Sequence, residues 1–440
     1  MSFLDHRGFR LGFAVVALST AFAGEALRYS ISWYGFIAVA LAITIVAALI
    51  VAREHKRGTW AWRSLPYPLI AFLALATLSI TWSFYPSATL LGLGATWAAA
   101  IVGLGLAVSL SWADFLTALG RALRIVLGAS FVFELVVSLF IRGRLLPLFA
   151  PPGIDYSKIE SVPSMLYWSR NLLLEGGKIQ GIMGNSSLLG FVALLALIVF
   201  SIQWGARTTG RITTLLWMSL ALVAIVLTKS ATIIIAVVVL AVIIATVVLL
   251  RRVRRTHRKW VWIGLGAVIA ATAAASIAIP ATLLATLGKS PDLTERLGIW
   301  ENVTHLAVQR PGFGWGWVSY WVPWVAPFDS LVVNSGVRQL HAHNAWLDVF
   351  LQLGMVGDVV FAALVVSTAM RSILFAADHP VGPRGEKLAF TVQSYLAVLV
   401  IFALLVQTIA ESRILVEYGI VLLVFLAVKT KATQSMTAAP

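Results

Sequence analysis

Three of the seven histidines and three well-separated arginines fall within one polar stretch, Ser290–Gly357, of an otherwise apolar chain. His341 and His343 end a polar segment just where a long apolar run begins. Imidazole is the side chain best placed to accept a proton near neutral pH, which makes His343 a candidate general base. Two histidines at i and i+2 could also ligate a metal, but no H-x₃-H pattern or carboxylate cluster accompanies them. The simpler use is an interfacial histidine bonded to a headgroup. Asn344 is placed to orient the imidazole, and Asp348, one turn on, is expected to face a bundle interior. Upstream, Pro291 and Asp292 signal a helix start, and Pro311-Gly312-Phe313-Gly314 ends that helix near Gln309. Arg296 and Trp300 lie at i and i+4, hence on one face of it. Arg296 is then held on a rigid element near a helix N-terminus, which itself favours anions. Spacing alone is better served by an arginine that caps a loop or snorkels to headgroups.

The elements that must position these residues are set by composition. The chain has 440 residues, 60% of them hydrophobic and only 12% charged, with mean hydropathy +0.92. A soluble protein of this size could not bury so much apolar surface, so its solvent is lipid. The net charge of +15 would suggest nucleic acid in a soluble protein; in a membrane protein it reflects cytoplasmic anchoring by Lys and Arg. Zero cysteines exclude disulfides, thiolate metal sites and cysteine nucleophiles. Ala21–Ala23 before Gly24 resembles a signal-cleavage site, but an uncleaved first span is expected.

The fold class is therefore an all-α polytopic membrane protein, a single membrane domain over 1–440. About twelve transmembrane helices can be drawn: 11–27, 32–52, 66–82, 88–110, 122–141, 186–204, 212–228, 231–250, 260–280, 344–370, 388–410 and 413–428. With Met1 inside, 21 of the 33 Lys and Arg fall on the inner side, which places both termini in the cytoplasm. Two long loops then share the outer face, 142–185 and a partly helical 281–343. They hold Arg142, Arg144, Lys158, Arg170, Lys178, Lys289, Arg296, Arg310 and Arg338. Basic residues oppose retention outside, so this cluster calls for another reason, and an anionic ligand is the simplest. Gly312, Gly314 and Gly316 do not make a phosphate loop, since no strand precedes them and no Lys-Ser/Thr follows. Trp315, Trp317, Trp321 and Trp324 read mainly as an interfacial cover and only secondarily as a sugar platform. Glu134 lies inside a span, where a charge has either a functional role or an interior arginine partner. Asn185 opens a span as an N-cap or a ligand contact.

Taken together these residues resemble the bacterial superfamily of O-antigen ligases and Wzy-type O-antigen polymerases, which includes exopolysaccharide polymerases. The resemblance rests on LTERLGIW at 293–300, QRPGFGWG at 309–316 and HAHNAWLDVFLQLGMVG at 341–357, with weaker echoes such as IAESRIL at 409–415. It implies a GT-C-type membrane glycosyltransferase at the outer face of the plasma membrane. The implied donor is a glycan on polyprenyl diphosphate and the acceptor a glycan or glycolipid, with no nucleotide sugar, cofactor or metal and no nucleic-acid partner. It casts His343 as activator of the acceptor hydroxyl and Arg296 as a diphosphate contact. Arg338, Arg310, Arg170 and Lys178 are further candidates for the diphosphate, and Asn344, Trp300 and Glu411 for supporting roles. LTERLGIW and IAESRIL look closer to exopolysaccharide polymerases, so polymerase is slightly preferred to ligase. A lipid-linked glycan transporter or flippase would also suit twelve spans and a basic cavity, but transporters place polar groups near the midplane of related halves. Here the polar groups gather in outer loops.

Overall fold

The computed structural model describes residues 3–278, 291–334, 336–380 and 386–437. Lys289 and the last two residues of the expected span 260–280 lie outside them. Among the described residues the chain is helical almost throughout: α1 (Arg7–Phe22), α2 (Gly24–Lys56), α3 (Tyr67–Leu78), α4 (Pro86–Ser109), α5 (Trp112–Val136), α6 (Ser186–Gly205), α7 (Arg211–Thr228), α8 (Ala231–Arg252), α9 (Arg258–Ala278), α10 (Pro291–Ala307), α11 (Ala345–Ala377), α12 (Tyr395–Gln407) and α13 (Glu417–Thr437). A two-residue hairpin pairs Val333–Asn334 with Val337–Arg338. Among the described residues seven helices are long and apolar enough to cross a membrane: α2, α4, α5 with its continuation to Ile141, α6, α7, α8 and α11. The stretches Tyr67–Thr81 and Val392–Gln407 are shorter apolar helices.

Each expected span finds a helix, yet the first two are divided differently from the expectation. The chain bends at Ala23 rather than running helical through residue 27, and α2 is broken again at Ser32, where φ is 70°. The short piece between these breaks carries Glu25 and Arg28. Starts are chosen by polar caps. Asn185 Oδ1 accepts from the amides of Ser187 and Leu188 at 2.8 and 3.2 Å, so it is an N-cap of α6.

Contacts sort the chain into two ends. At one end Asp5 pairs with Arg53 and Arg57, Arg10 with Glu54, and Lys431 Nζ donates to Leu65 O. At the other end lie the loop 142–185, α10 and the segment between α12 and α13. Glu134 ties the first of these down: its buried carboxylate accepts from Ser169 Oγ at 2.8 Å and from the amides of Gln180 and Gly181 at 2.9 and 2.8 Å. It thus anchors the loop, and the described ion pairs give it no arginine partner.

The Trp-rich middle of the long loop is core, correcting the expectation of an interfacial cover. Trp317 is wholly buried, its Nε1 donates to Thr96 Oγ1 at 2.9 Å, and its ring meets Phe72 edge-on. Trp321 is buried in a second, smaller apolar cluster with Tyr85, Ile299, Val303, Phe328 and Leu351. Trp315 is partly buried, and Trp324 alone of the four is well exposed.

The segment 311–316 docks into a break in α11. At Gly354 φ is 66° and helical hydrogen bonding is interrupted. The amides of Met355 and Val356 turn to the carbonyls of Pro311 and Gly312, at 2.8 and 3.2 Å. The carbonyls of Leu351 and Gln352 accept instead from Trp315 and Gly316, at 3.0 and 2.9 Å. Four backbone hydrogen bonds are thus exchanged between the two segments. Glycine is required there: a Cβ on Gly314, whose φ is 68°, would lie about 2.5 Å from the Gln352–Leu353 backbone. Gly314→Ala should therefore lower the unfolding temperature of the detergent-solubilised protein. Gly298→Ala should hold or raise it, because a Cβ there meets open space on a helix. Thermal melts check both directions.

Candidate functional site

Three separate segments meet around one carboxylate. The first is α10, which is held over the His341–His343 segment by Trp300, whose Nε1 donates to Ala342 O at 3.0 Å. The second is that segment itself. Asp348, fully buried, accepts from Ala342 N at 2.9 Å and from Ser412 Oγ, and so fixes it to the third segment, 408–416. Ala345 N adds a bond to Thr408 O at 2.8 Å. Gln352 Oε1 accepts from the amides of Val318 and Ser319 below.

Glu411 is the shared partner and is only 3% exposed. Its Oε2 stands 3.2 Å from His343 Nδ1 and 3.9 Å from His341 Nε2, and its Oε1 3.4 Å from Arg296 Nη2. Burial works to raise the Glu411 pKa. What outweighs it is His343, by its charge when protonated and by its hydrogen bond, with His341 and the permanent charge of Arg296 beside it, and the carboxyl is held at about 2. His341 is driven the other way, well below the ordinary imidazole value, first by burial and then by the charge of His343, against the pull of Glu411.

The partners assign the protons. Backbone N–H of His343 donates to His341 Nδ1 at 3.0 Å, so a neutral His341 carries its proton on Nε2, toward Glu411. An ionised Glu411 only accepts, so His343 Nδ1 carries a proton and Nε2 is left as its basic nitrogen. That nitrogen faces Gln339 Oε1 at 3.4 Å; both atoms are acceptors in this state, so the contact becomes a hydrogen bond only when His343 is protonated or the Gln339 amide is turned over. A histidine held this way by a carboxylate is arranged to take a proton through Nε2. His341, His343 and Glu411 also form a group of potential metal ligands whose atoms lie within 4.8 Å of one another. The proton on His341 Nε2 and the Arg296 guanidinium on Glu411 both work against a dication there.

Behind this group is a ring of charges that reading the sequence did not find. Arg413 pairs with Glu25 at 3.2 Å and Glu417 at 2.7 Å. Arg28 pairs with Glu25 at 3.0 Å and also with Glu417. Arg413 lies over the Tyr320 ring, which in turn packs 5.5 Å from His341. The signal available was two charged pairs at helical spacing, Glu25/Arg28 and Arg413/Glu417, in apolar surroundings.

The structure thus brings Arg296, His343, Glu411 and Trp300 together, and it gives other candidates partners of their own. Asn344 does not orient the imidazole. Its Oδ1 accepts from the amides of Trp346 and Leu347 at 3.1 and 3.3 Å and caps α11, because the residue before a helix start must satisfy those donors. Arg310 does not join Arg296. The two sit near opposite ends of α10, which rises about 16 Å between residues 296 and 307, and Arg310 stacks on Phe84 and Trp315 at 3.8 and 5.1 Å. Arg338 is on the exposed hairpin, with Nε donating to Asp329 O. Arg170 bonds Gln180 Oε1 and the carbonyl of Lys178, within the frame of the other loop.

Residues 214–362 match the family described as O-Antigen ligase. The matched stretch contains Arg296, His341 and His343, whereas Glu411 reaches the site from beyond it. No curated protein matches the chain.

Glu411→Gln leaves Arg296 and His343 without their counter-charge and should cost about 3 kcal/mol of stability. The folded pKa of about 2 lies below the unfolded carboxylate value, so this stabilisation is complete above that value and lost only as pH falls through about 2. The gap in unfolding temperature between wild type and variant should therefore be similar at pH 7 and pH 5. A gap that closes by pH 5 would contradict the ionised assignment.

Proposed function

We propose that this chain, whose residues 214–362 match the O-Antigen ligase family, transfers a glycan from polyprenyl diphosphate to the hydroxyl of an acceptor glycan or glycolipid. The observation that carries the reading is the buried His343–Glu411–Arg296 constellation at one end of a membrane-type bundle. His343 Nε2 takes the proton of the acceptor hydroxyl as its oxygen attacks the anomeric carbon. The bond from that carbon to the diphosphate oxygen breaks, and polyprenyl diphosphate leaves. Glu411 holds the imidazole and steadies the imidazolium as it forms. Arg296 offers further N–H groups to the leaving diphosphate, whose charge grows in the transition state. Direct displacement inverts the anomeric centre.

In this reading the chain is a plasma-membrane glycosyltransferase of GT-C type with twelve spans. Both termini are cytoplasmic and the site is extracytoplasmic, in keeping with the distribution of Lys and Arg. Polymerisation is slightly preferred to ligation on the character of LTERLGIW and IAESRIL. The reaction needs no metal, since a protonated His341 Nε2 and neighbouring guanidinium groups disfavour one.

The test is incubation of the purified protein with a polyprenyl-diphosphate oligosaccharide. A product ladder is expected for a polymerase, and one transfer to a second acceptor for a ligase. Activity should survive a chelator, and NMR of the new linkage should show inverted configuration. No product, or a retained centre, would overturn the reading.

A further inference from the structure

The two histidines that bracket Ala342 are not equivalent, and the geometry separates their tasks. His343 has φ of 51°, in the left-handed region that side chains with a Cβ rarely adopt. Such a residue persists only where its surroundings over-determine it, and here its own amide is held at 3.0 Å by His341 Nδ1. The two rings also pack with centroids 4.0 Å apart. His341 is buried, backed by Tyr320, and Tyr320 is fixed from behind by Arg413. His343 is the more exposed of the two, and it makes the shorter contact with Glu411.

We propose that His341 is a positioning residue: its Nδ1 lone pair holds the His343 backbone in the left-handed conformation that lets that imidazole address Glu411 and the acceptor hydroxyl together. The role requires His341 to stay neutral, because a protonated Nδ1 would meet the His343 N–H as a second donor. Burial and the neighbouring positive charges favour that state. When His343 takes up a proton, the new cation beside His341 reinforces its neutrality. One imidazole thus exchanges protons and the other serves as a fixed acceptor. The inference rests on the reading that His343 is the base of a glycan transfer.

The test compares His341→Leu, which fills the space without an acceptor, with His341→Asn, whose Oδ1 can occupy the place of Nδ1. Both variants are checked by thermal melting. In the transfer assay His341→Leu should lower kcat about ten- to hundredfold, the loss expected when a buried N–H is left unpaired, with KM little changed. His341→Asn should recover most of it. Hydrogen exchange at the His343 amide, read on the peptide spanning it, should rise in His341→Leu and stay slow in His341→Asn. This second readout needs no activity and addresses the positioning role by itself. Equal kcat in the two variants, or equal exchange, would overturn the role while leaving glycan transfer in place. If the wild type transfers no glycan, the underlying reading falls and takes this role with it.

Discussion

A carboxylate buried among apolar helices must draw cations to itself, and Glu411 draws them from two distant segments. Arg296 comes from α10 and the two histidines from the segment that opens α11, while Glu411 belongs to the turn between α12 and α13. An unpaired carboxylate in such a place would neutralise or destabilise the fold, so the assembly of the site and the docking of α10 are one event. Behind it a second layer repeats the pattern. Glu25 and Glu417 balance Arg28 and Arg413, and Arg413 steadies Tyr320 against His341. The candidate base is therefore backed by charge on one side and by aromatic packing on the other.

The positions where helices break are the positions that matter most to this end of the molecule. The interruption of α11 at Gly354 frees four backbone groups, and residues 311–316 satisfy them. That exchange locks the far end of the loop onto the helix that starts just after His343. The near end is held by Trp300 on Ala342. The long loop is thereby a clamp with two fixed ends and an apolar filling, in which Trp317 and Trp321 belong to the core.

Much of this was legible in the sequence, for identifiable reasons. Hydropathy located the helices because lipid admits little else, although it could not see the bends at Ala23 and Ser32, which carry no proline or glycine signal strong enough to mark them. Arg296 and His343 were legible because residue type, helical spacing and a family motif agreed. Glu411 entered only through the weak echo IAESRIL, since its partners lie more than sixty residues away along the chain. Asn344 was misread because adjacency to a histidine suggests contact, whereas a residue before a helix serves the helix first. Charge alone says nothing of the length of the helix between Arg310 and Arg296, so the sequence could not tell that the two stand apart. For the tryptophans, composition does not distinguish a core ring from an interfacial one.

The central claim is that His343 accepts the proton of the acceptor hydroxyl. The most direct measurement is the turnover of His343→Ala in the purified transfer assay, with binding of the lipid-linked donor followed in parallel. Turnover should fall about 10²–10⁴-fold with donor binding retained. Turnover within a few-fold of wild type would contradict it.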